Sequence, residues 1–106
     1  MHPLVKDVLP DFAAELRELL KKEKRSDLSD KVGALQLFER CRCGDDFCST
    51  FYTAPKPSGA YGAGHSNLQL SPKAGMIILD LVDDEIRCVE VLERPDVQRE
   101  LFAQLP

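Results

Sequence analysis

Tryptophan is absent from this 106-residue chain, and aromatic residues make up only 7% of it. The core must therefore be assembled mainly from Leu, Val and Ile. Long apolar runs are also missing: nothing approaches the ~18 consecutive residues that a membrane helix requires. A basic excess is lacking too. The formal charge is −4, which does not supply the phosphate-neutralising face that nucleic-acid binding needs. The segment Met1-His2-Pro3-Leu4-Val5-Lys6-Asp7 has neither the charged start nor the apolar stretch of a secretory signal. The expectation is a cytoplasmic, reducing setting, in which the four cysteines are free thiols or metal ligands rather than disulfides.

What is present is ordinary for a globular protein: 43% hydrophobic and 30% charged residues. The length fits one domain over residues 1–106. Charge is spread unevenly. Residues 1–42 carry nine bases and eight acids, whereas residues 80–100 carry eight acids against Arg87, Arg94 and Arg99. One end of the molecule should be acidic, either as a solvated face or as a docking surface for a basic partner.

The hydrophobic pattern begins helical and then alternates. Residues 10–25 predict a first helix: Pro10 suits the first turn, Asp11 and Glu15 suit its positive end, and Lys21, Lys22, Lys24 and Arg25 its negative end. Phe12, Leu16, Leu19 and Leu20 share one stripe. Residues 26–32 predict a short second helix capped by Ser26 and closed by Gly33. From Ala34 the period becomes two. Residues 34–42 predict a strand with Leu35, Leu37, Glu39 and Cys41 on one side; Gly44-Asp45-Asp46 is turn chemistry, and residues 47–54 form the returning strand. Residues 55–66 are a Gly/Pro-rich loop, followed by a short strand at 67–70. The clearest signal is a hairpin at 75–92, folded at Asp83-Asp84. Arg94-Pro95-Asp96 opens a C-terminal helix with Val97, Leu101 and Leu105 on one face. The order helix, strands, helix predicts an α+β fold: a four- or five-stranded, mainly antiparallel sheet packed by an N-terminal helix, with a short C-terminal helix.

The chemically pointed feature is Cys41-Arg42-Cys43-Gly44-Asp45-Asp46-Phe47-Cys48. Two cysteines one residue apart on a strand face the same way, and a third just past the turn can approach them. Thiolates suit zinc, which takes four ligands in structural sites. The metal set is then Cys41, Cys43 and Cys48, with His65 or Cys88 as the fourth ligand. The competing reading is a cluster of small buried hydrophobes, the usual fate of cysteine in a sheet. A third reading is a reactive thiol, for which Cys48 with His65 is the credible nucleophile–base pair. The loop Gly59-Ala60-Tyr61-Gly62-Ala63-Gly64-His65 lacks the strand-to-helix setting of a phosphate loop, although Tyr61 and His65 are placed to touch a ligand. The acidic groups Asp45/Asp46 and Asp83/Asp84/Glu85 fall at turns that explain them.

Two resemblances accompany these residues. The C-x-C-x4-C spacing of Cys41, Cys43 and Cys48 resembles the zinc-binding tail that follows the catalytic domain of protein-lysine methyltransferases; it covers eight residues and implies a metal but no methyltransferase activity. The stretch Leu79–Leu92 resembles the closing hairpin of small bacterial domains of unknown function and departs from them at Glu85, where glycine is usual; it implies no activity or residue role. With no catalytic constellation, nucleotide loop or basic face, the expectation is a non-enzymatic protein-interaction or regulatory module whose partner is another protein. The alternatives are a zinc-stabilised domain and a thiol-dependent enzyme.

Overall fold

The computed structural model describes residues 2–106. Its elements are α1 (Val5–Val8), α2 (Pro10–Lys22), α3 (Ser26–Ser29), a 3-10 turn at Val32–Ala34, β1 (Glu39–Arg40), β2 (Phe51–Tyr52), β3 (His65–Gln69), β4 (Met76–Val82), β5 (Glu85–Leu92) and α4 (Pro95–Gln104). The five strands form one antiparallel sheet in the order β1-β2-β5-β4-β3. This is the expected α+β arrangement. No helix among the described residues is long and apolar enough to cross a membrane.

One face of the sheet makes the core. Ile77, Leu79 and Leu81 of β4 and Ile86, Val89 and Val91 of β5 pack against Phe12, Leu16, Leu19 and Leu20 of α2 and Val97 and Leu101 of α4. The helical stripe and the strand alternation therefore meet as their periods require. A register shift between Asp80 and Leu81 lets Leu81 pair with Ile86 and keeps both in that core. The β4–β5 hairpin closes on Asp83 and Asp84, both with positive φ (51° and 62°). A two-residue turn that matches strand twist needs this conformation, and Asp tolerates it better than most residues.

Several expected boundaries shift. Residues 34–42 form a strand only at Glu39–Arg40, because the preceding segment is claimed by the N-terminus. Leu37 N–H donates to the Pro3 carbonyl (2.7 Å), Val5 N–H donates to the Leu35 carbonyl (2.9 Å), and Leu4 bridges Gln36. The same bonds account for α1, which the sequence pattern did not suggest. Residues 47–54 shrink to Phe51–Tyr52, although Ser49 and Thr53 still bond to Val91 and Arg87 across the ladder (2.8 and 3.0 Å). Ser26 is the first helical residue and not the cap; Arg25 occupies the cap position. Gly33 lies inside the 3-10 turn instead of ending a helix. The third strand starts at His65, so His65 belongs to the sheet and not to the loop.

Candidate metal centre and the cavity beside it

The Cys41–Cys48 segment links β1 to β2. Cys41 N–H donates to the Thr50 carbonyl (2.8 Å), Gly44 turns the chain with φ 84°, and Cys48 N–H donates to the Asp45 carbonyl (3.2 Å). Cys48 also bridges Leu92 at the end of β5, and the Phe47 carbonyl accepts from Glu93 N–H (2.9 Å). Helix α4 braces the turn: Gln98 Nε2 donates to the carbonyls of Asp46 (2.7 Å) and Cys48 (3.3 Å). Arg40 lies over the Phe102 ring at 3.9 Å and donates to the Leu105 carbonyl at 2.6 Å.

These bonds bring three sulfurs together. The Sγ atoms of Cys41, Cys43 and Cys48 all lie within 4.8 Å of one another. All four cysteines are free thiols. Cys48 is buried, Cys41 half-buried and Cys43 exposed, so the cluster opens to solvent on one side. That opening is a cavity of about 340 Å³ lined by Arg40, Gly44, Asp45, Asp46, Gln98 and Phe102 together with the thiols. Burial opposes ionisation of Cys48, but the Thr50 hydroxyl and N–H and the two neighbouring thiols outweigh it and bring its pKa down. An Asp45 backbone N–H favours the Cys43 thiolate; the Cys48 and Cys41 sulfurs override it and push Cys43 up to about 11. Cys48 therefore ionises more readily than Cys43.

The other proposed ligands lie apart from this cluster. His65 Nε2 is bonded to Asp80 Oδ1 (2.9 Å), and its ring packs on Tyr61 with centroids 4.9 Å apart. The Cys48–His65 pair of the thiol-enzyme reading is therefore not assembled: each residue is engaged elsewhere. Cys88 sits mid-strand on β5, opposite Tyr52 and Asp80. It is buried, and burial together with the Asp80 and Glu90 charges pushes its thiol far up, so it behaves as an inert thiol.

What the pattern did not single out is the face of the sheet opposite the helices. The 55–64 loop stands over it and leaves a cavity of about 370 Å³, lined by Cys41, Cys48, Thr50, Tyr52, Lys56, Tyr61, Asp80, Cys88 and Glu90 among others. Asp80 is only 7% exposed and accepts from Asn67 Nδ2 at 2.7 Å as well as from His65. Glu90 faces Asp80, and the hydrogen bond between the two carboxyls, with burial, raises Glu90 to about 7. Asp80 is desolvated, yet the bonds from Glu90, His65 and Asn67 hold it below the ordinary carboxylate value. Of the two carboxyls, Glu90 therefore holds a proton more readily than Asp80. Strand periodicity does contain this signal: Asp80 and Glu90 are polar residues inside the two most apolar strands.

Compared with known proteins, the chain matches no family model, no curated protein and no solved structure.

Proposed function

We propose that this chain is a zinc-binding interaction domain, in which Cys41, Cys43 and Cys48 hold one metal ion and thereby fix a turn that a partner protein reads. The observation that carries this reading is the convergence of three sulfurs within 4.8 Å of one another. Zinc–thiolate bonds of about 2.3 Å in tetrahedral geometry place sulfurs about 3.8 Å apart, so an ion needs a contraction of at most about 1 Å across the cluster. The donor set is soft, as zinc prefers.

The fourth position belongs to water or to a partner's side chain, reached through the open cavity beside Gly44. The interaction role draws on Phe47, a large apolar residue in the same turn that is 44% exposed. A metal that rigidifies residues 42–47 lowers the ordering cost of docking that ring. With a net charge of −4, the partner is a protein and not a nucleic acid. The thiolates persist in a reducing compartment such as the cytoplasm. The test is metal analysis of protein purified without chelators, alongside the Cys41→Ser, Cys43→Ser and Cys48→Ser variants. One zinc per chain in the parent and loss of it in each variant supports the reading. A metal-free parent that does not take up zinc overturns it.

A further inference from the structure

The cavity under the 55–64 loop plays no part in the metal reading, although Cys41 and Cys48 form one of its walls. Its volume of about 370 Å³ falls in the range of small-molecule sites. Its lining combines two aromatic rings with two facing carboxyls, a typical pairing of apolar walls with a few convergent polar groups. We propose that this cavity binds a small organic cation carrying N–H donors, a guanidinium or a primary ammonium, between the Asp80/Glu90 pair and the rings of Tyr52 and Tyr61.

Two observations point to that class of ligand, and a third sets the repulsion that such a ligand must overcome. The first is the acid pair. Asp80, only 7% exposed, and Glu90 line the same cavity, and among the described residues no cationic side chain is bonded to Glu90. Like charges so placed require either a proton or a counter-cation. The second is Tyr61. Its hydroxyl oxygen is shielded from solvent and has no hydrogen-bond partner among the described residues, although Tyr61 lines the cavity. A buried polar group without a partner is costly, and a ligand that lifts the Tyr61 ring and donates an N–H to its hydroxyl would relieve that cost. The third is Lys56. Its ammonium stands 5.7 Å from the centre of the Tyr52 ring at the cavity rim. The ring therefore already faces a cation, in the geometry by which aromatic faces attract them. Lys56 is exposed and reaches neither carboxyl in a hydrogen bond, so it leaves the interior open.

Lys56 also discriminates between ligand signs. It repels a cation entering the cavity and would attract an anion. Methylguanidinium and n-butylammonium serve as cation probes, with butanol and butyrate as uncharged and anionic controls. Binding is followed by amide chemical shifts on the full chain, with and without added zinc. The expected result is saturable binding of the cations alone, with shifts at residues 50–52, 61, 80 and 88–90. Glu90→Gln should weaken it by about tenfold, the loss of a charged hydrogen-bond partner. Lys56→Met should tighten it a few-fold. Lys56 is exposed, so Lys56→Met tests the proposal even if Glu90→Gln fails to fold. Binding of butyrate in preference to the cations, equal shifts with butanol, weaker cation binding in Lys56→Met, or no saturable binding of either cation overturns the proposal. Because the probes are applied with and without zinc, an absent metal and an absent cation site give different results.

Discussion

Gln98 of α4 reaches back 52 residues to donate to the Asp46 carbonyl at 2.7 Å, with a second, longer bond to the Cys48 carbonyl at 3.3 Å. The C-terminal helix thus fixes the backbone at Asp46 and at Cys48, one of the three clustered thiols. Gln98→Ala removes both bonds at a half-buried position. It should weaken zinc affinity by roughly tenfold, the effect of losing a group that orients metal ligands, while shifting stability by less than about 1 kcal/mol. Competition with a chromophoric chelator measures the first and urea unfolding the second. Unchanged zinc affinity would remove α4 from the account.

Gly75 and Gly44 both adopt positive φ (72° and 84°) but differ in surroundings. A Cβ at Gly44 meets nothing within 4 Å, whereas at Gly75 it would stand 2.5 Å from the Leu92 carbonyl and 2.7 Å from Arg94 Cγ. Gly44→Ala should cost about 1 kcal/mol, the backbone penalty alone. Gly75→Ala should cost more than about 2 kcal/mol, because the Leu92 carbonyl is fixed backbone at the end of a paired strand. Equal losses in urea unfolding would show that the Leu92 strand end yields.

Arg94 is 8% exposed and donates to both oxygens of Glu15 (2.7 and 2.8 Å) and to both of Asp96 (2.9 and 3.0 Å). It ties the entry of α4 to α2. Arg94→Lys keeps the charge but loses the forked geometry, and should destabilise by about 2 kcal/mol. Glu15→Gln should cost less, since Asp96 still neutralises the guanidinium. A lysine variant as stable as the parent would mean that charge alone suffices.

The Asp80/Glu90 pair gives a pH dependence with a definite sign. Glu90 is raised from 4.5 to about 7, so its contribution is fully present below the unfolded value and is lost as pH rises through about 7. Asp80 is lowered, so its contribution is present above 3.8 and is lost as pH falls below that. The groups facing Glu90 are Asp80 and His65 from β4 and β3, Tyr52 and Thr50 from the β2 side, Cys88 on its own strand, and Lys56 and Tyr61 from the loop. Between pH 5 and pH 8 the parent should lose stability relative to Glu90→Gln, which keeps a hydrogen bond to Asp80 without titrating. Parallel stability curves over that interval would contradict the raised Glu90 value.

The elements most legible in the sequence were those specified by one local pattern. The α2 stripe, the 75–92 hairpin and α4 each combine a clear period with its own terminal or turn residues. The thiol cluster was readable from its spacing, because the three cysteines lie within eight residues around a Gly-Asp-Asp turn, although Cys41 and Cys43 lie past the end of β1 and not on a strand. The shortened first strand was not readable: Leu35 and Leu37 alternate correctly, but their backbone partners, Val5 and Pro3, lie thirty or more positions away. His65 was misplaced for a related reason. Its neighbours Gly62 and Gly64 read as loop, while its strand partner Val82 and its hydrogen-bond partner Asp80 come from the next strand. The Asp80/Glu90 pair depended likewise on the β4–β5 register, which a single shift at Asp80/Leu81 sets.

Metal binding at the three thiols is tested by the zinc content of the full chain purified without chelators, read together with its unfolding temperature before and after chelation. One zinc per chain is expected, with its loss in Cys43→Ser, and a fall in unfolding temperature on chelation that Cys43→Ser does not show. Cys43 is exposed, so this substitution disturbs the core least. Protein that contains no zinc, takes none up when it is supplied, and unfolds at the same temperature with and without chelator would contradict it.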